Sequence, residues 1–419
     1  MTQTSAPLPG CCEDFARATA LTRRGVLRGL GVAGAAWTVG SAVVQSSPVA
    51  AAEAGSGTGS VVVLSLRGAA DGMSLVVPHG DPVYAAARPR IAVPASAVLA
   101  SDGFFGLHPE LAPLLPLWQA GSVAAVHATG LPAPNRSHFA AMEEVEDANP
   151  GSTERVGWLN RLVGDLPGDG PLQGISVGTE STAMFGPAAR MSFSALDDAV
   201  VAGDDQWDPT DDRLRSLHRM WGRSGHPLAG SLRSAVDAVA DLAPAKAVAP
   251  GDYPTTDLGT ALSSVARTLK GDVGARVITV DQGDWDMHTD LGTLSWGNMN
   301  TNARRLAKAL AAFFTDLGDV ASRVTVVVLS EFGRRVVEND NYGLDHGWGN
   351  VMLLLGAGVR GGRYYGTWPG LENTYDADLT VTTDYRSVLA EVVATRTSAS
   401  VATVFPGFTP ETVGAMTSL

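Results

Sequence analysis

Apolar residues in this chain come in short unbroken runs rather than in alternation with polar ones. Residues 61–66 (Val-Val-Val-Leu-Ser-Leu), 123–127, 276–280, 324–329 and 351–355 each read as a strand buried on both faces. Between them the spacing becomes helical, over residues 110–119, 137–146 with Ser137 at the N-cap position, and 302–317. Strands that alternate with helices in this way predict an α/β sandwich around a mostly parallel sheet. From about residue 164 to 271 the pattern changes. Acidic pairs such as Asp204-Asp205 and Asp211-Asp212, Pro and Gly joints, and amphipathic stretches at 213–221 and 232–242 predict a largely helical insertion or cap.

The first fifty residues read differently again. Thr22-Arg23-Arg24-Gly25-Val26-Leu27-Arg28 is a twin-arginine pattern, followed by the mildly apolar residues 29–44 and the small run Ala50-Ala51-Ala52. The apolar stretch is shorter than the roughly 20 residues a spanning helix needs, so it predicts an export signal cut after Ala52 rather than a membrane anchor. The expected organisation is a signal peptide, 1–52, and one domain, 53–419, delivered to the extracellular or periplasmic space. Both cysteines, Cys11 and Cys12, fall in the signal. The mature chain is therefore expected to be stable without disulfides, on its core alone.

Composition sets the remaining bounds. A chain of 419 residues, 45% apolar and 17% charged, has ample material for a core, which excludes a disordered chain or a disulfide-stapled mini-protein. The formal charge is -13, and -15 once residues 1–52 are removed. An electrostatic grip on nucleic acid or on an anionic membrane is excluded on that ground, which leaves a small molecule, a glycan or another protein as partner.

In a parallel sheet the ligand crevice lies beyond the carboxyl ends of the strands. Four such places carry chemistry. Asp71 follows the first strand, where a lone Asp before Gly is ordinarily a turn former. Pro134-Asn135-Arg136-Ser137-His138-Phe139 follows the second. A serine there is ordinarily a cap, but helix-end N–H groups would also stabilise charge on its oxygen, and Arg136 could clamp an oxyanion. Asp281-Gln282-Gly283-Asp284-Trp285-Asp286-Met287-His288 follows the third, and either Asp286 or Asp284 could share a divalent cation with His288. Mixed N/O donors suit zinc, manganese or iron. Glu331, in Ser330-Glu331-Phe332-Gly333-Arg334, follows the fourth, and His346 stands in Asp345-His346-Gly347 just before the next strand.

Taken together, Leu66–Gly72, Pro134–Phe139, Gly283–His288, Ser330–Arg334 and Asp345–Gly349, behind a twin-arginine signal, closely resemble the bacterial family called domain of unknown function fifteen-oh-one. That family is grouped with the alkaline-phosphatase-like superfamily of phosphatases, sulfatases and phosphomutases. The resemblance implies a mixed, mainly parallel sheet and a metal centre. It implies that Asp71, Asp286 (or Asp284), His288, Glu331 and His346 are its ligands, and that Ser137 is the helix-capping nucleophile, with Arg136 or Arg67 holding the transferred group. Phe332 stands where the superfamily places a histidine, and Glu331 where it places a shorter acid, so one of two metal positions is expected to be weakened. The absence of cysteine from the mature chain excludes a cysteine-derived formylglycine. The expected activity is metal-dependent hydrolysis of phosphate or sulfate esters of small molecules or glycans. The competing expectation is an exported binding or assembly protein, with a protein partner, that keeps the fold without turnover.

Overall fold

A computed structural model describes residues 35–39, 42–46, 59–200, 213–222 and 229–418. Thirteen strands are found among these residues. In chain order they are β1 (Ala35–Val39), β2 (Ala42–Ser46), β3 (Ser60–Leu66), β4 (Val76–Val77), β5 (Gly106–Leu107), β6 (Val123–Gly130), β7 (Gly174–Val177), β8 (Arg190–Phe193), β9 (Val277–Gln282), β10 (Val324–Leu329), β11 (Asn350–Gly356), β12 (Arg363–Tyr365) and β13 (Thr383–Asp384). All but β4 and β5, which pair with each other, form one mixed sheet in the order β1-β2-β8-β7-β9-β3-β10-β11-β6-β12, with β13 also paired to β6. The strands from β8 through β10 run parallel; β2 joins β8, and β11 joins β10 and β6, antiparallel.

The unbroken apolar runs have a direct cause. In β3, Val62, Leu64 and Leu66 belong to the core on one face, and Val61 and Val63 to the core on the other. Helices Asp257–Lys270 and Asn298–Leu317 cover the first face; His138–Asp147, Trp158–Asp165 and Tyr385–Arg396 cover the second. With both faces covered, the strand is buried along its whole length, Ser60 and Ser65 included, and its other positions are apolar.

Within residues 164–271 the helices are joined by β7 and β8, which extend the main sheet, so this stretch contributes two strands to the sandwich itself. The stretch read as a helix from 110 to 119 is a 3-10 turn, Pro109–Leu114, followed by Leu115–Gln119. Pro113 and Pro116 remove the backbone donors a continuous α-helix would need. The twin-arginine pair, both cysteines and Ala50–Ala52 lie outside the described residues. Part of the stretch assigned to the export signal is described: β2 pairs with β8, and its Ala42 and Val44 are fully buried. No helix among the described residues is long and apolar enough to cross a membrane.

The directions of the strands place the carboxyl ends of β3, β6, β9 and β10 and the start of β11 on one edge of the sheet. All the loops singled out above open onto this edge.

Candidate metal centre

Three imidazoles and a carboxylate converge at that edge. His138 is the first residue of helix His138–Asp147, His288 and Asp286 come from the loop after β9, and His346 precedes β11. The Nε2 of His346 lies 3.0 Å from that of His138 and 2.9 Å from that of His288. Asp286 borders all three rings: Oδ2 is 3.6 Å from His138 Nε2, and Oδ1 is 3.3 Å from His288 Nε2 and 3.5 Å from His346 Nε2. Donor atoms of His138, Asp286 and His346 all fall within 4.8 Å of one another.

The outer nitrogens show what this arrangement is for. His138 Nδ1 is 2.8 Å from Glu331 Oε1, His288 Nδ1 is 2.9 Å from Asp345 Oδ1, and His346 Nδ1 is 2.9 Å from the Arg136 carbonyl. All three partners can only accept, so each Nδ1 carries the hydrogen and each Nε2 of a neutral ring points a lone pair inward. Lone pairs 3 Å apart repel unless a metal ion or a proton lies among them. Donors held about 2.0–2.1 Å from a tetrahedral ion stand about 3.3 Å apart; the five pairs given above lie at 2.9–3.6 Å, and His288 falls outside the group of donors that all lie within 4.8 Å of one another. The donor set therefore fits a divalent metal, with the outer hydrogen bonds fixing tautomer and ring direction as metal-binding histidines require.

The surrounding charge points the same way. Burial opposes a charge on His138, yet Asp286 and Glu331 raise it to about 9, so a cation is favoured in the cluster. Burial would raise Asp286, but His138, His346 and Arg334 hold it far below the usual carboxylate range. Glu331, fully buried, is likewise held down, chiefly by His138 against the opposing effect of burial. His288 is pushed down, by burial first.

Arg334 is the hub of the edge. Its buried guanidinium donates to the carbonyls of Ala69 (2.6 Å), Gly68 (2.5 Å) and Leu344 (3.0 Å) and to Asp286 Oδ1 (2.7 Å). One side chain thus ties the loops after β3 and β9 to the loop before β11. Gly347 is required beside it, since a Cβ there would stand 2.4 Å from the Arg334 carbonyl carbon.

The residues expected from sequence fall into three groups. Asp286, His288 and His346 meet in the cluster. Glu331 touches it from outside, as the acceptor for His138 Nδ1. Asp71 and Asp284 are elsewhere: both oxygens of buried Asp71 are taken by Arg88, at 2.6 and 3.1 Å, and Asp284 is exposed with φ 68°. Ser137 occupies the N-cap position as expected, is exposed, and makes no capping bond with its side chain. It sits between His138 and Arg136, both of which touch the cluster. Arg136 pairs with Asp378, and Arg67 with Glu146 and, at 3.1 Å, Asp281, so both guanidinia are already engaged. Phe332 is buried with its ring centroid 5.0 Å from those of both His138 and His346, forming a wall behind the two rings. Sequence reasoning passed over His138, Arg334 and Asp345. The available signal was that His138 and Asp345 lie directly beside Ser137 and His346, and that Arg334 follows Glu331 by three residues.

A family model described as "Protein of unknown function (DUF1501)" matches residues 118–392. The chain belongs to this family. No curated protein of similar sequence matches it. Solved structures similar to this DUF1501 protein include the C-terminal periplasmic domain of EcEptC from Escherichia coli, at 11% identity and TM-score 0.36 over 90% of this chain and 92% of that one. The phosphonate monoester hydrolase of Agrobacterium radiobacter matches at 11% identity and TM-score 0.32, over 84% and 78%. A protein in the alkaline phosphatase superfamily from Vibrio parahaemolyticus matches at 13% and 0.29, over 75% and 63%.

Proposed function

We propose that this protein is an exported, metal-dependent hydrolase of phosphate or sulfate esters. The observation that carries the reading is the convergence of three Nε2 lone pairs on Asp286 next to a helix-terminal serine whose hydroxyl caps nothing. His138, His288, His346 and Asp286 would hold the ion, zinc being the best match to three imidazoles and one carboxylate. When bound, that ion supplies positive charge where the transferred group gains negative charge.

The chain's own residues do the rest. Ser137 Oγ is the nucleophile: it loses its proton to solvent and forms a bond to phosphorus or sulfur as the bond to the ester oxygen breaks, the alcohol leaves with a proton from water, and a second water then adds its oxygen to the group and returns a hydrogen to Oγ. The first N–H groups of helix His138–Asp147 face the developing charge. Arg334 keeps Asp286 in place, and Glu331, Asp345 and the Arg136 carbonyl keep the three rings turned inward. The twin-arginine pattern supports export of the folded chain.

The second reading is a binding protein without turnover, favoured by Phe332, an inert ring where the superfamily resemblance calls for a ligand. A screen of phosphatase, phosphodiesterase and sulfatase substrates across added metals separates the two. Metal-dependent turnover that is lost in Ser137→Ala supports the hydrolase; bound metal with no turnover on any ester class supports the binding protein.

A further inference from the structure

We propose that the edge of the sheet at β8 is a strand-acceptor surface whose occupant is the chain's own export signal, and that the signal is usable only after it leaves that edge. The inference rests on the export reading and adds a control to it.

Among the described residues, only β2 pairs with β8 on the side away from β7. An edge strand offers a row of unpaired N–H and C=O groups, ready to take an extended segment of matching pattern. Here the segment is Ala42–Ser46, paired antiparallel with Val43 opposite Ser192, Val44 opposite Met191 and Gln45 opposite Arg190. Its alternation fits the place: Ala42, Val44 and Ser46 are buried, Val43 and Gln45 only partly. Ala42 and Val44 join Met191, Phe193, Ala235 and Val239 in one core, and helix Ala229–Ala240 packs on both strands. The long polar side chain is also met. Gln45 Nε2 donates to the Gly186 carbonyl at 2.5 Å, and Arg190 donates to Gln45 Oε1 at 2.5 Å. β1 pairs along the outer side of β2, with Trp37 packed against the same core.

An export signal needs these residues elsewhere. β1 and the first half of β2 make up the later part of the apolar stretch 29–44, which a signal presents to the export machinery. While Ala42 and Val44 face the core they cannot be presented. The machinery therefore meets only the fraction of chains in which the strands have left the edge, and its apparent affinity falls by that fraction. Ala52, after which the cut is expected, lies between β2 and β3 in sequence. A cut there removes the covalent tie that returns the strands to β8, so the control acts before export and ends with it.

The test is a pulse-chase of the full-length chain in cells that export it, comparing wild type with Gln45→Ala and Val239→Ala. The first removes two hydrogen bonds that hold the strand; the second trims the acceptor and leaves the signal's own sequence unchanged. Each should raise the undocked fraction and speed conversion of precursor to exported protein by roughly 2- to 10-fold. In the purified precursor, the amides of residues 42–46 should exchange hydrogen slowly, and faster in both variants. The exported protein should begin after residue 46. Unchanged or slower export in a variant whose fold is confirmed by calorimetry would overturn the proposal, as would an exported protein that keeps residues 35–46. Should neither variant fold, the N-terminus of the exported wild-type chain decides. Replacing Arg23 and Arg24 together by Lys tests the underlying reading by itself: export that continues without the arginine pair overturns it, and the proposal with it.

Discussion

Replacing Glu331 by Gln separates a residue that holds a ligand from one that is a ligand. The glutamine keeps the length of the side chain and one carbonyl oxygen, enough to accept from both His138 Nδ1 and the Gly68 N–H, while its amide can donate to the Ser330 hydroxyl. What is lost is the negative charge behind the His138 ring. A hydrogen bond to a charged group contributes about 1.5–3 kcal/mol and a neutral one about 0.5–1.5, so the difference is about 1–2 kcal/mol, or roughly 5- to 30-fold in metal affinity. That agrees with the roughly 10- to 100-fold effect of losing an outer partner of a metal-binding histidine. Glu331→Ala should do more harm of a different kind. It strands the buried Gly68 and His138 donors at about 1–3 kcal/mol each, and the loss appears as stability as well as affinity. Zinc affinity, measured by competition with a chromophoric chelator, and unfolding by calorimetry provide the two readings. Unchanged affinity in Glu331→Gln would show that the charge behind His138 is irrelevant. A loss greater than about 1,000-fold would make Glu331 a ligand itself and refute the arrangement described here.

Because the Ser137 hydroxyl makes no capping bond, Ser137→Ala should change stability by less than about 0.5 kcal/mol while abolishing turnover; wild-type turnover in the folded variant would remove the serine from the mechanism. Arg88→Met strands Asp71 as a buried unpaired charge and should cost about 3–5 kcal/mol in a denaturant titration, a loss below about 1 kcal/mol contradicting the pairing. His127 is buried against Phe105 without a partner for its Nε2, and burial pushes it down to about 3. Its unfolded form takes up a proton below about 6.5, so stability falls as pH drops from 6.5 towards 3, by at most about 1.4 kcal/mol per unit. His127→Phe should flatten that part of the stability profile, and an unchanged slope would refute the assignment.

The parts of the fold that were legible in the sequence are those with a single explanation. Val61–Leu66 and Val324–Leu329 can be apolar at all but one position each, Ser65 and Thr325, because helices cover both faces of the sheet. The four-residue strands Gly174–Val177 and Arg190–Phe193 were missed, since so short a run between Gly and Pro joints carries almost no periodicity. At the site, position along a sheet edge could be inferred but side-chain direction could not. Asp284 and Asp286 are equivalent candidates in sequence. In space the Asp284 carbonyl accepts from Asn302 Nδ2 at 2.7 Å and its left-handed backbone leaves its side chain exposed, whereas Asp286 faces the three rings. His138 was hidden by the more conspicuous serine before it. The pairing of Asp71 with Arg88 depends on an approach through space that no local pattern encodes.

The position of β3 has a consequence in time. It lies between β9 and β10, with Val61 opposite Val277 on one side and Thr325 on the other. Both neighbours are synthesised more than 200 residues later. At about 5–20 residues per second the ribosome needs about 10–50 s to supply them. Throughout that interval Val61–Leu66 is an unpaired apolar strand in a nascent chain, the kind of segment that aggregates unless something covers it. Because its closure depends on distant partners, the sheet cannot be completed domain-first from the N-terminus, and it forms slowly once the chain is released. Under the export reading proposed above, this delay sets the earliest moment at which the folded chain is ready to leave the cytoplasm.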